Sequence, residues 1–207
     1  MFSKITAVLA VAGLVSAAPL ESRQDDLQQW QLSGISSFSP SGRPGSYPWI
    51  TITANLFDPN TLNLGTSPAD GSTVTIPPNN ATNCQAKYIS SSKPFDHIWP
   101  CGMLFSPLTQ SKLRCNPLIY QPDNSGNGYW TMEILETSDF SIHEFDVKFT
   151  HVADTLYLGS QYKKTYTGTA HFSLTDNLSG SCGGSGVCSW GLKSGLSPYA
   201  IQQSEVA

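Results

Sequence analysis

Positive charge is scarce in this chain. Eleven Lys and Arg stand against 15 Asp and Glu in 207 residues, the formal net charge is −4, and Lys163-Lys164 is the one adjacent basic pair. Binding to phosphate needs clustered cations, so neither nucleic acid nor an anionic membrane is expected as a partner. Long apolar runs are missing too. The N-terminal run from Ala7 to Val15 is too short to span a bilayer, and no second run follows. No amphipathic helix pattern reaches a stable length, and no glycine-rich phosphate loop precedes a lysine. A Gly-x-Ser-x-Gly elbow is lacking, because Gly184-Ser185-Gly186 runs on into Val187 and Cys188 and reads as a hairpin tip. The histidines are His97, His143, His151 and His171, and no two have the spacing of a metal-binding helix motif. His143 and His151 share an inward parity, but eight residues of strand hold them roughly 26 Å apart, too far for one ion. No metal and no cofactor are therefore expected.

What the chain does have is alternation. From Glu144 to Thr150, Phe145, Val147 and Phe149 fall on one face while Glu144, Asp146, Lys148 and Thr150 fall on the other. Only a period of two separates them in this way, which excludes a helix. The same pattern runs from Thr165 to Thr175, with Tyr166, Gly168, Ala170, Phe172 and Leu174 on the apolar face. Trp130, Met132 and Ile134 give a third such strand, and Trp49 to Leu56 a fourth with Ile50, Ile52, Ala54 and Leu56 inward. Trp30 with Leu32, Thr73-Val74-Thr75-Ile76, and Cys84 with Ala86 and Tyr88 mark shorter ones. A sheet that is apolar on one face must be covered by another sheet or by its own curvature, so the expected fold is all-β, an antiparallel β-barrel or β-sandwich with long Gly/Pro/Ser-rich loops.

Residues 1–17 read as a secretory signal, with Lys4, the apolar run and the small-residue pattern Val15-Ser16-Ala17. Residues 18–28 read as an unstructured or propeptide-like segment, 29–194 as one all-β domain, and 195–207 as a flexible tail. The polar stretch between Asp58 and Thr82 is expected to be a mobile loop around the one short strand at Thr73. Leu104 to Pro122 has no sustained period and suggests irregular backbone with a short strand near Leu118-Ile119-Tyr120. Export makes the chain secreted and extracellular and lets cysteines pair. The cysteines are Cys84, Cys101, Cys115, Cys182 and Cys188, and an odd count leaves one over. The sequons Asn80-Ala81-Thr82 and Asn177-Leu178-Ser179 mark Asn80 and Asn177 as candidate glycosylation sites.

Carboxylates raise the question of glycoside hydrolysis, which uses two of them about 5 to 10 Å apart. Glu133 and Glu136 lie three apart on a strand and point to opposite faces. Glu133 with Glu144 or Asp146 would share an outer face, but solvated carboxylates there are ordinary, and no catalytic residue is assigned. Trp49 and Tyr129 are candidates for a sugar-stacking platform.

The run Ala18-Pro19-Leu20-Glu21-Ser22-Arg23-Gln24, Trp30 with Leu32, the Gly/Pro loop into a second strand, and Cys84-x-Ala86 followed by Trp99-Pro100-Cys101 resemble a known family. It is the group of small secreted fungal β-barrel proteins typified by the major allergen of Alternaria. The resemblance implies a non-enzymatic effector, elicitor-like or allergen-like binding protein at the host interface, with a host plant protein or a small apolar ligand as partner. It also implies a bond between Cys84 and Cys101. Cys182 with Cys188 would tie a glycine-rich tip, leaving Cys115 as a free or intermolecular thiol. Spacing alone leaves a rival open, in which Cys101 joins Cys115 and Cys84 is free. The alternative function is a secreted carbohydrate-active or carbohydrate-binding β-sandwich. A carboxylate pair in an open groove would favour it, and a closed barrel with an apolar interior would favour the binder.

Overall fold

The computed structural model describes residues 27–102 and 127–206. The expectations for the leader, most of segment 18–28, Cys115 and the strand near Ile119 lie outside the described residues. Within them every element is a strand and every strand pairing is antiparallel.

The first sheet contains β1 (Trp30–Ser39), β2 (Trp49–Asp58), β5 (Asn79–Ile89), β10 (Leu178–Cys182) and β11 (Cys188–Leu192), in the order β10-β11-β1-β2-β5. A short strand, β12 (Tyr199–Ile201), also pairs with β1. The second sheet contains β6 (Ile98–Pro100), β7 (Tyr129–Leu135), β8 (Glu144–Tyr157), β9 (Ser160–Ser173) and β13 (Ser204–Val206), in the order β13-β9-β8-β7-β6. A small hairpin of β3 (Leu62–Thr66) and β4 (Thr73–Ile76) stands apart.

The alternation dictates how the sheets face each other. Phe145, Val147 and Phe149 on β8, Tyr166 and Phe172 on β9, and Met132 and Ile134 on β7 are all sealed from water. Trp30, Leu32, Ile52 and Leu56 of the first sheet are buried with them in one core cluster. Each such side chain stabilises the fold by about 1.5–3 kcal/mol when fully buried. The edge of Trp30 meets Trp130 with ring centres 4.8 Å apart, a direct contact between the sheets. A bulge in β1 between Leu32 and Gly34 shifts its parity, so that Trp30 and Leu32 before it and Ile35 and Ser37 after it all point inward. Gly128, at φ +98°, leads into β7 where any Cβ would run into the Val152 carbonyl oxygen.

The fold is therefore a sandwich; a closed barrel is not found. Three local expectations change. The stretch from Asp58 to Thr82 contains a hairpin rather than a loop with one strand, because Leu62 and Leu64 alternate and are buried together with Val74 and Ile76. Leu174 lies one residue past the end of β9 and is 39% exposed, so the apolar face stops at Phe172. Residues 199–206, expected as a tail, pair first with β1 and then with β9, crossing from one sheet to the other. That crossing presses on Gly168, whose added Cβ would lie 2.7 Å from the Gln202 carbonyl oxygen and 2.9 Å from Trp30.

Cys84 is bonded to Cys101 and Cys182 to Cys188. The first bond runs from β5, the edge of the first sheet, to the residue that follows β6, the edge of the second. It closes one side of the sandwich covalently. The second joins the ends of the β10–β11 hairpin.

Candidate functional site

The carboxylates considered for catalysis do not converge. Register places Glu133 opposite Lys148, and the ammonium lies 3.1 Å from Glu133 Oε2. Asp146 lies opposite His171, with Oδ1 2.6 Å from Nδ1. Glu144 faces Ser173 across the same pair of strands. Each acid on this face therefore has its own cross-strand neighbour, and Glu133 and Asp146 are both in ion-pair geometry.

A polar node that the sequence did not single out lies inside the fold. Asp58 ends β2 and His151 sits on the inner face of β8; both are 0% exposed. A carboxylate can only accept, so the His151 Nδ1–H donates to Asp58 Oδ2, 3.3 Å away. Asp58 Oδ1 accepts from the Asn60 backbone N–H at 3.0 Å, the Asn60 amide at 2.6 Å and the Gln203 amide at 3.4 Å. Asn60 and Gln203 both donate to the Gln28 carbonyl, at 2.9 and 2.7 Å. Trp130 stacks flat on His151, with ring centres 4.2 Å apart and planes 5° from parallel. Burial alone would raise the Asp58 carboxyl, but hydrogen bonds from His151 and Asn60 and the imidazole's charge outweigh it and hold the group below its ordinary 3.8. The node ties the segment before β1, the end of β2, the middle of β8 and the link from β12 to β13. With its pair sealed from solvent, it braces the fold and gives a substrate no access.

The two sheets differ sharply on their outer faces. Charged side chains of the second sheet include Glu133, Glu144, Asp146, Lys148 and Lys163. In the strands of the first sheet the charged residues are Asp58, which is buried, and Lys87. The rest of its outward side chains are mostly hydroxyls, amides and aromatics, with Ile89 on β5 and Ala200 on β12 as exposed aliphatic exceptions. Ser36 and Thr53 hydroxyls bond across β1 and β2 at 2.7 Å. The Lys87 ammonium lies 5.0 Å from the Trp49 ring centre and 5.7 Å from that of Tyr47, and Phe38 lies 6.3 Å from Tyr47. Trp49 is 36% and Tyr47 51% exposed. Cation–π attraction holds both rings in place at the surface. Trp49 and Tyr129 are not brought together. They lie on different sheets, and Tyr129 adjoins Trp130 at the Asp58 end of β2, nine residues or about 30 Å of strand from Trp49.

A recess of about 320 Å³ opens beside the Cys84–Cys101 bond, walled by Asn79, Asn80, Thr82, Gly102, Gly128 and Tyr129 among others. Its described walls carry no carboxylate, imidazole or free thiol. The sequons fare differently. Asn80 is exposed. Asn177 is 4% exposed, and its amide accepts from the Ser173 N–H at 3.0 Å and donates to the His171 carbonyl at 2.8 Å. His97 lies over Trp99 at 4.1 Å and His143 beside Trp190 at 5.5 Å. Among the described residues no group of three or more His, Cys, Asp and Glu could hold a metal ion.

No family model, curated protein or solved structure matches this chain.

Proposed function

We propose that the chain is a secreted, non-catalytic binding protein that meets its ligand outside the cell, on the outer face of the first sheet. The observation that carries this reading is the segregation of charge between the sheets, with the half-buried Lys87 the one outward charge in the strands of the first sheet and the exposed rings of Tyr47 and Trp49 beside it. A sheet face turned to water ordinarily carries mixed charges for solubility, and a neutral aromatic one is a contact surface. The bonds Cys84–Cys101 and Cys182–Cys188 are compatible with an oxidising, extracellular setting. The resemblance to the Alternaria allergen family adds a role as an effector or elicitor at the boundary with a plant host. Of the partners it implies, the small apolar ligand has little support, because the described recess is walled largely by asparagine, threonine and glycine, and a protein is not favoured by the hydroxyl-rich face.

The test is a reducing-sugar assay of the purified protein on plant cell-wall polysaccharides, run beside leaf infiltration. The expected result is no sugar release, together with a host response that Glu133→Gln and Glu144→Gln both retain. Sugar release that either variant abolishes would overturn the non-catalytic reading.

A further inference from the structure

We propose that the outer face of the first sheet is a platform for an extended, neutral, β-linked polysaccharide, an inference that rests on reading this face as the ligand-binding side. Antiparallel register aligns residues of neighbouring strands into rows across the sheet. Ser181, Ser189, Phe38, Thr51 and Lys87 form one such row. Ser179, Gly191, Ser36, Thr53 and Gln85 form the next. Trp49 and Ile89 begin a third on the other side of Thr51 and Lys87, with Tyr47 close to Lys87.

A pyranose presents C–H bonds on its faces and hydroxyls around its rim. Rings such as Trp49 and Tyr47 take the C–H face by dispersion and area burial. Serine and threonine hydroxyls and the Gln85 amide donate and accept, as sugar hydroxyls do, whereas a carboxylate would only accept. Neighbouring strands lie about 4.8 Å apart, comparable to the rise per sugar of an extended β-linked chain, so successive strands along a row address successive sugars.

The same rows disfavour the other macromolecules. Protein interfaces are poor in serine and lysine at their centres and have buried apolar anchors there, while here the row of Ser179, Gly191, Ser36, Thr53 and Gln85 has no apolar side chain and the large rings Phe38, Trp49 and Tyr47 lie to one side of it. A polyanion would need several cations, and Lys87 stands alone in these strands, engaged over two rings.

The experiment measures retention of the full secreted chain on microcrystalline cellulose, insoluble xylan, a β-1,3-glucan and a polygalacturonate gel, at low and high salt. Retention on at least one neutral β-glycan, insensitive to salt, is expected. Trp49→Ala should weaken it about tenfold, the loss of one stacked aromatic contact. Ser36→Glu should also weaken it, while Lys148→Gln on the second sheet should not. Melting temperatures equal to the parent's establish that all the variants fold. Failure of every neutral glycan, or retention that Trp49→Ala leaves intact, overturns the assignment. So does retention on polygalacturonate alone that fades with salt and is lost in Lys87→Gln. If no glycan is retained but Trp49→Ala abolishes the leaf response, the glycan assignment falls and the binding-face reading stands. If no glycan is retained and Trp49→Ala gives the full response, both fall.

Discussion

Asp58 and His151 are 93 residues apart in the chain, yet their side chains meet at 3.3 Å with neither exposed to water. A charged group in that position is stable only with its partners present. Asp58→Ala should therefore destabilise the domain by about 3–5 kcal/mol, the usual cost of breaking a buried pair from one side. The readout is the urea midpoint. A variant that unfolds with the parent would show that the node contributes nothing.

The same carboxyl sets an acid limit. Because Asp58 is held below its ordinary 3.8, the unfolded chain takes up this proton more readily than the folded one. The stability it contributes is fully present above about pH 4 and is lost as pH falls through the lower folded value. Urea midpoints measured from neutral pH down to that range should fall more steeply for the parent than for Asp58→Asn. Parallel profiles would contradict the assignment.

The core face of β8 is legible in the alternation of the sequence alone. Phe145→Asp should bury a charge and cost several kcal/mol, of the order seen for unpaired buried groups. Lys148→Asp should cost no more than about 1 kcal/mol, since it replaces a half-exposed cross-strand pair with a like-charge one. Thermal melts of both variants distinguish the two faces, and equal melting would end the period-two assignment.

Gly168 tests the C-terminal crossing. Gly168→Ala places a methyl against the Gln202 carbonyl, so the segment that closes the sandwich must shift. A loss of about 1–3 kcal/mol is expected, typical of overpacking, with faster amide exchange at residues 199–206. An unchanged exchange pattern would show that the strap is not pinned there.

Sequon use should be unequal. Asn80 is exposed, whereas the Asn177 amide is committed to the turn between β9 and β10. Mass spectrometry of the protein expressed through a eukaryotic secretory route should find glycan on Asn80 and unmodified Asn177. A glycan on Asn177 would require that turn to be rebuilt.

These residues also show what a sequence can carry. Period-two alternation is local, so β2, β7, β8 and β9 can be read directly, although β2 and β8 run further than the alternation shows and the reading of β9 starts late and overruns at Leu174. Leu62-Asn63-Leu64 had the same signal but lay among turn formers, and three-residue strands such as Tyr199–Ile201 are too short to show a period. The node escaped because its members are joined by long-range register. Asp58 opens the stretch expected to be a loop, His151 suggests at most a metal ligand, and Gln203 carries no signal at all. Trp49 stood out as an exposed ring, but its companions Tyr47 and Lys87 are brought to it by the loop before β2 and by the pairing of β2 with β5. Tyr129, chosen from sequence as its companion, belongs to the other sheet.

The most direct test of the binding face is backbone amide chemical-shift mapping of the protein titrated with a soluble β-linked glucan hexamer. Shifts should concentrate at Ser36, Phe38, Trp49, Thr51 and Lys87 and leave Glu133, Asp146 and His171 unmoved. Shifts confined to the second sheet would contradict the assignment of the outer face of the first sheet as the ligand-binding surface, and none at saturating hexamer would contradict a β-linked glucan as its ligand.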